Sequence, residues 1–407
     1  MSDRKRLAGI AVFWLIVIRM AIGWHLMYEG LWKVHTLSTA EPWSSAGYLR
    51  NSQGPFRQTF RDMTGDPDEL QWLDYVTMIA QWDDWLERFR AHHPDLTEEQ
   101  LAKLDLLVNG PKEFTAKLAQ LPSGVEIPKD LAKVVKFDAD RKLLIVDGKQ
   151  HLVPEEREQL LKLVADLEQQ DEEQPAASDK TEQERAKQFQ AAVSRIYQQA
   201  AQLSYKERLA VALKGNPDQV GRIFTDKSGN VLESSIGDIE LYRQQIVRYE
   251  GALAKAEQDF QYTHLAKISS DLQQLRSKLV GPIKAMTKEM KREADQILDT
   301  SQLSRGPVPE PWTQIRKVDF MTIWGLVILG GLLIAGLFSR LSALGAAVLL
   351  FSFYLAMPPW PGVPEPPGPQ HSLFINQHLI EVMMLLFLAM LPTGKWFGMD
   401  AFFRRSK

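Results

Sequence analysis

Ionisable side chains recur in an apolar stretch near the start of the chain, where Arg19, His25, Glu29 and Lys33 fall within "RMAIGWHLMYEGLWKV". A second, polar set, the amide of Asn376 with the ionisable His378 and Glu381, interrupts the apolar run "SLFINQHLIEVMMLLFLAML" near the other end. A charge at bilayer depth costs roughly 2.5 to 3.5 kcal/mol on insertion scales, so such groups turn toward one another or toward a wet cavity. Three kinds of chemistry are open to them: hydrogen bonding to a small polar ligand, proton handling through the histidines and carboxylates, or ion pairing that only holds helix register.

Helical geometry sorts these residues into faces. Steps of four, three, four and three align Arg19, Gly23, Leu26, Gly30 and Lys33, with His25 and Glu29 on an adjoining strip. The glycines leave room for a second helix to come close. Arg19 and Glu381 both have apolar sequence on either side and are expected to pair, while Asp319 is expected to meet Lys33 or His25. The sequence thus predicts an outward-facing polar pocket lined by Arg19, His25, Glu29, Lys33, Asn376 and Glu381. Lys33, Trp32 and Tyr28 also suit the ordinary role of interfacial anchors.

The elements that must position these side chains are apolar runs at the two ends of the chain. Residues 7 to about 28 read as a first membrane span of about 22 residues, roughly 33 Å of helix. The basic start "MSDRKR" before residues 7–18 resembles a secretory leader, but no small-residue cleavage site follows, so the span is expected to be retained. Further spans are predicted at about 321–338, 341–357 and 372–391, with only Ser339 and Arg340 between the second and third. The predicted fold class is an all-α membrane protein: a four-transmembrane-helix bundle plus a mainly helical, coiled-coil-like extracytoplasmic domain with a small β hairpin or meander.

Charge sets the expected orientation. Arg4, Lys5 and Arg6, then Arg340, then Lys395, Arg404, Arg405 and Lys407 all fall on one side, which the positive-inside rule makes cytoplasmic. Residues 41–310 carry 36 Lys+Arg against 45 Asp+Glu, whereas the remainder carries 12 against 6. Both termini are therefore expected in the cytoplasm and residues about 35–315 outside, across a bacterial inner membrane. The chain has no cysteine, which excludes disulfides, thiolate metal sites and a redox couple of its own. A net charge of −3 with scattered lysine and arginine gives no footprint for nucleic acid.

The chain divides by pattern into a first span at 1–34, a loop at 35–65, a helical insertion at 66–305, and a proline-rich linker with the remaining spans at 306–407. In the insertion, Leu70, Leu73, Val76, Trp82, Trp85 and Phe89 form a broad apolar face that Pro94 ends. Thr97 with Gln100 three residues on reads as a capping box. Alternating residues near 134–153, with Asp147-Gly148 as a turn, predict the hairpin or meander. Ile268, Leu272, Leu275, Leu279, Ile283, Met286 and Met290 form a seam that Gly281-Pro282 should kink or break. Its partner is either the stripe of Phe189, Val193, Ile196, Ala200 and Leu203 or a second copy of the chain. Adjacent His92 and His93 diverge by about 100° on a helix and offer one metal ligand at most. Asp66, Asp68 and Glu69 read as helix-start charge, and no phosphate loop, catalytic triad or zinc motif is present.

The two ends together resemble the DoxX family of small four-helix bacterial membrane proteins. The resemblance rests on "RMAIGWHLMYEGLWKV", "WSSAGYLRNSQGPF" and "SLFINQHLIEVMMLLFLAMLPTGKWFGMDAFF", and covers about 150 residues. The family's link between its first two helices is short, and here it is replaced by the long insertion. The resemblance implies a non-catalytic subunit of a quinone-linked or oxidative-stress redox system, with a bound quinone and no covalent cofactor. Expected partners are membrane lipid, a redox subunit or periplasmic protein docked on the insertion, and a second copy of the chain. The other reading open to the sequence is a membrane-anchored scaffold of the cell envelope with no ligand chemistry.

Overall fold

The computed structural model describes residues 2–39, 42–148, 152, 154–173, 180–200, 203–215, 235–360 and 374–404. The chain forms two compact units: Met1–Leu70 with Ile246–Gln273 and Glu310–Lys407, and Gln71–Gln245 with Gln274–Pro309. The segment Ile246–Gln273, expected within the insertion, therefore belongs to the first unit.

The chain begins with α1 (Ser2–Thr36), α2 (Ala46–Arg50) and α3 (Arg57–Asp62), followed by α4 (Tyr75–His92) and α5 (Glu98–Asn109). Strands β1 (Glu113–Lys117), β2 (Val135–Asp138) and β3 (Leu143–Asp147) come next. Then follow α6 (Pro154–Glu173), α7 (Lys180–Ala200), α8 (Tyr205–Lys214), α9 (Ile236–Leu253), α10 (Asp259–Asp295) and α11 (Thr300–Leu303). The last elements are α12 (Gln314–Ala335), α13 (Ser339–Ala356), α14 (Gln377–Met390) and α15 (Thr393–Trp396).

In the first unit, Gly9–Thr36 of α1, α12 and α13 are long and apolar enough to cross a membrane. The expected fourth span is shorter than predicted. α14 has 14 residues, about 21 Å of helix against a hydrocarbon core of about 30 Å. Asn376 caps it by accepting from the Leu379 N–H at 3.0 Å, and the start of the predicted span, residues 372–373, lies outside the described residues. α12 starts on the Thr313 cap and ends at Gly336, whose left-handed φ of 63° stops the helix. The α12–α13 turn is thus residues 336–338, and Ser339 and Arg340, expected to be the linker, already belong to α13.

One apolar core joins the four apolar helices: Leu26 from α1, Leu326 and Leu333 from α12, Ala343, Ala346, Ala347 and Leu350 from α13, and Val382, Leu385 and Leu388 from α14. Glycines set the α1–α12 distance. A Cβ on Gly330 would lie 2.6 Å from both the Gly23 carbonyl oxygen and the Met27 nitrogen, and one on Gly30 would lie 2.9 Å from the Val327 nitrogen. The helix expected to use Gly23 and Gly30 is therefore α12.

In the second unit, Asp74 caps α4 and accepts from the Thr77 N–H at 2.8 Å. The buried face is Met78, Trp82, Trp85, Leu86 and Phe89. Val76 was expected on it but is 69% exposed, because two residues back from Met78 is about 200° around the helix. The Thr97–Gln100 capping box forms as read from the sequence. The sheet is antiparallel in the order β1-β3-β2. Its hairpin turn lies at residues 139–142, not at Asp147-Gly148; Gly148 follows β3 and donates to the Lys112 carbonyl at 2.8 Å.

The expected pairing of α7 with the α10 seam is replaced by sheet packing. Phe189, Val193, Ile196 and Ala200 are buried with Phe114, Ala116, Leu144 and Val146 of the sheet and Leu160 and Val164 of α6. The alternating inward residues of β1 and β3 leave an apolar face that an amphipathic helix covers. α10 also runs unbroken through Pro282. Flanking Leu279, Val280 and Ile283 are all buried, and that packing offsets the roughly 3 kcal/mol cost of an internal proline. Residues 174–179 and 216–234 lie outside the described residues.

Candidate functional site: a cavity among the apolar helices

A cavity of about 730 Å³ lies in the first unit, walled by α1, α12, α13, α14 and the segment around α2. His25, Glu29 and Lys33 recur every fourth residue and form a polar column along the α1 wall. The first two turns of α14 contribute Gln377, His378 and Glu381. Most of the remaining lining is hydrocarbon, including Met321, Leu326, Leu349, Leu350 and Phe353, with Phe60 and Met63 beside them.

The polar groups fall into two sets. Lys33 is 8% exposed; its Nζ donates to Glu29 Oε2 at 2.7 Å and sits 5.1 Å from the centre of the Trp43 ring. That cation is therefore neutralised and shielded on one side by an aromatic face. Glu381 has a different environment: its Oε1 is 3.5 Å from His25 Nε2, and its Oε2 is 4.0 Å from His378 Nδ1. The Phe353 ring meets the His378 imidazole edge to face at 6.0 Å. Tyr48 ties the α2 segment to α13 by donating from its hydroxyl to the Phe353 carbonyl at 2.6 Å.

Four of the six predicted residues, His25, Glu29, Lys33 and Glu381, thus line one cavity. Asn376 does not, because its side chain is spent on capping α14. Asp319 meets neither Lys33 nor His25; it accepts from the Ser45 N–H at 2.7 Å and from the Ser44 hydroxyl at 2.7 Å. Trp43 and Tyr48 are cavity residues that polarity and helical spacing did not single out, since an aromatic residue after a membrane helix has the same signature as an interfacial anchor.

Arg19 belongs to a different structure. Six residues, about 9 Å of helix, separate it from His25. It is 1% exposed and donates from Nη2 to the Phe397 carbonyl at 2.7 Å. Among the described residues its Nε and Nη1 have no hydrogen-bond partner. Beside it, Asp400 accepts from the Phe338 N–H at 2.7 Å, the Ser339 N–H at 3.0 Å and the Ser339 hydroxyl at 2.7 Å. α13 has no side-chain cap of its own, so Asp400 caps it from 61 residues further along the chain. Arg19 and Asp400 together clasp the segment after α14 to the α12–α13 turn, and the expected Arg19–Glu381 pair does not form.

The cavity offers hydrocarbon walls for an apolar body and a carboxylate between two imidazoles for a polar end. Among the described residues no group of three or more His, Asp or Glu is placed to hold a metal ion. The fold and cavity together define a membrane-associated helical protein with a ligand-sized, mostly apolar pocket. Comparison of the chain with protein-family models, with curated proteins and with solved structures finds no match.

Proposed function

We propose that the chain is a DoxX-like integral protein of a bacterial inner membrane, with both termini cytoplasmic, acting as a non-catalytic subunit of a quinone-linked or oxidative-stress redox system. In this reading all four apolar helices lie in the bilayer, α14 reaching only part of the way across within the core it shares with the other three. The unit of residues 71–245 and 274–309 is the external part that docks a partner protein.

The observation that carries the reading is the cavity of about 730 Å³, a volume within the range of small-molecule sites. Its leucine, methionine and phenylalanine walls suit a ring with an apolar tail, and His25, His378 and Glu381 supply hydrogen bonds to ring oxygens. A bound quinone would supply two-electron chemistry; these residues would bind the ring and orient it.

The test is native mass spectrometry of the gently solubilised protein after incubation with lipid extract, comparing wild type, Lys33→Gln, Glu381→Gln and Arg19→Leu. A quinone or hydroquinone retained by wild type and Arg19→Leu and lost from Lys33→Gln is the expected result, with Glu381→Gln still holding the quinone form. Absence of ligand from every sample, with a partner protein held through the external unit, would replace this reading with the envelope scaffold.

A further inference from the structure

The two carboxylates of the cavity are not equivalent. Glu29 is satisfied by Lys33 at 2.7 Å. Glu381, with its side chain 18% exposed, has no lysine or arginine partner among the described residues, and its imidazole neighbours stand at 3.5 and 4.0 Å. Neither distance is that of a strong hydrogen bond. His378 Nδ1 is closed to solvent and unbonded among the described residues. The three side chains line the same cavity, so acceptor capacity on Glu381 and donor capacity on the His25 imidazole face one space without being spent on each other.

That mismatch selects among ligands. A carbonyl oxygen offers lone pairs only, and beside a carboxylate it leaves Glu381 without a donor. A hydroxyl group donates to the carboxylate and still accepts from an imidazole N–H. Resting on the quinone-site reading above, we propose that the His25–Glu381–His378 group selects the hydroxylated, reduced form of an aromatic ring over its carbonyl form, with Glu381 accepting the O–H hydrogen bond. A bond of that charge-assisted kind corresponds to a preference of about tenfold or more in dissociation constant. The site would then retain the hydroquinone and release the quinone.

The experiment is anaerobic isothermal titration of the full-length protein in detergent with a short-chain benzohydroquinone and with the matching benzoquinone, on wild type and Glu381→Gln. Expected is a tenfold or greater preference of wild type for the hydroquinone. In Glu381→Gln that preference should vanish while quinone binding is kept or tightened, because an amide donates to a carbonyl. Equal binding of both forms by wild type, or tighter binding of the quinone, overturns the proposal and leaves the quinone-site reading intact. A preference unchanged in Glu381→Gln removes Glu381 from the role. If wild type binds neither compound, both the proposal and the reading beneath it fall. The wild-type ratio decides the matter even where the variant does not fold, and binding of the quinone by the variant shows that it does.

Discussion

Replacing Asp400 by alanine should loosen the end of the bundle where α12 turns into α13, although the residue lies outside every apolar helix. The carboxylate accepts three hydrogen bonds, from the Phe338 N–H, the Ser339 N–H and the Ser339 hydroxyl, at 2.7, 3.0 and 2.7 Å. Bonds to a charged acceptor are worth about 1.5 to 3 kcal/mol each when buried. Asp400 is only partly buried, so released donors regain water and the low end applies. An N-cap alone is worth about 1 kcal/mol, and an anion at a helix N-terminus adds about 0.3 to 1 kcal/mol. The expected loss is about 3 kcal/mol for Asp400→Ala and about half that for Asp400→Asn, which keeps one acceptor oxygen. Denaturant unfolding in detergent, with hydrogen exchange at Phe338 and Ser339, measures both. A loss under about 0.5 kcal/mol with unchanged exchange at these amides would refute the cap in trans. Burial opposes ionisation of Asp400, but the bonds from Ser339 and Phe338 and the charge of Arg19 outweigh it and hold its pKa below the usual carboxylate value. A depressed pKa gives stability that is present above the unfolded value of about 3.9 and lost as pH falls through the folded one. The difference between wild type and Asp400→Ala should therefore shrink below about pH 4.

Arg19→Met should cost little, within about 1 kcal/mol, because losing the bond to the Phe397 carbonyl and the attraction to Asp400 is offset by removing two buried donors that have no hydrogen-bond partner among the described residues; a loss above about 3 kcal/mol would show that the charge pair with Asp400 outweighs that relief. Gly330→Ala should push α1 and α12 apart at a cost of about 1 to 3 kcal/mol, since its Cβ would sit 2.6 Å from the Gly23 carbonyl oxygen, whereas Gly331→Ala, with open space at that point, should be tolerated in the same unfolding assay. In the second unit His93 is 2% exposed, and burial, with the charges of His92 and Arg305, lowers its pKa against the opposing pull of Asp95 and Asp295. A lowered histidine pKa means stability is full above about pH 6.5 and falls as pH drops through the folded value. His93→Phe should flatten this part of the stability profile, and a profile unchanged by the substitution would exclude His93 as its source.

What was legible in the sequence follows from local physics. Long apolar runs read as membrane helices, Thr97 with Gln100 read as a capping box, and His25 with Glu29 four residues on read as one strip of a polar pocket, because side-chain spacing along a helix is fixed by its 3.6-residue turn. Which residues of other helices complete that wall is not a local property. Arg19 and Glu381 look like a pair because each is a lone charge in apolar sequence, yet the level at which each sits depends on how far α1, α12 and α14 slide past one another. Close contacts at Gly23, Gly30 and Gly330 settle the α1–α12 register, and it leaves Arg19 beside the α12–α13 turn while Glu381 faces His25. The role of Asp400 was hidden for the same reason: a cap supplied from 61 residues away has no signature near the helix it caps. The stripe on α7 shows the limit of periodicity, since a seam spaced for a helix partner buries equally well against a sheet, and only the tertiary structure decides which surface is nearer.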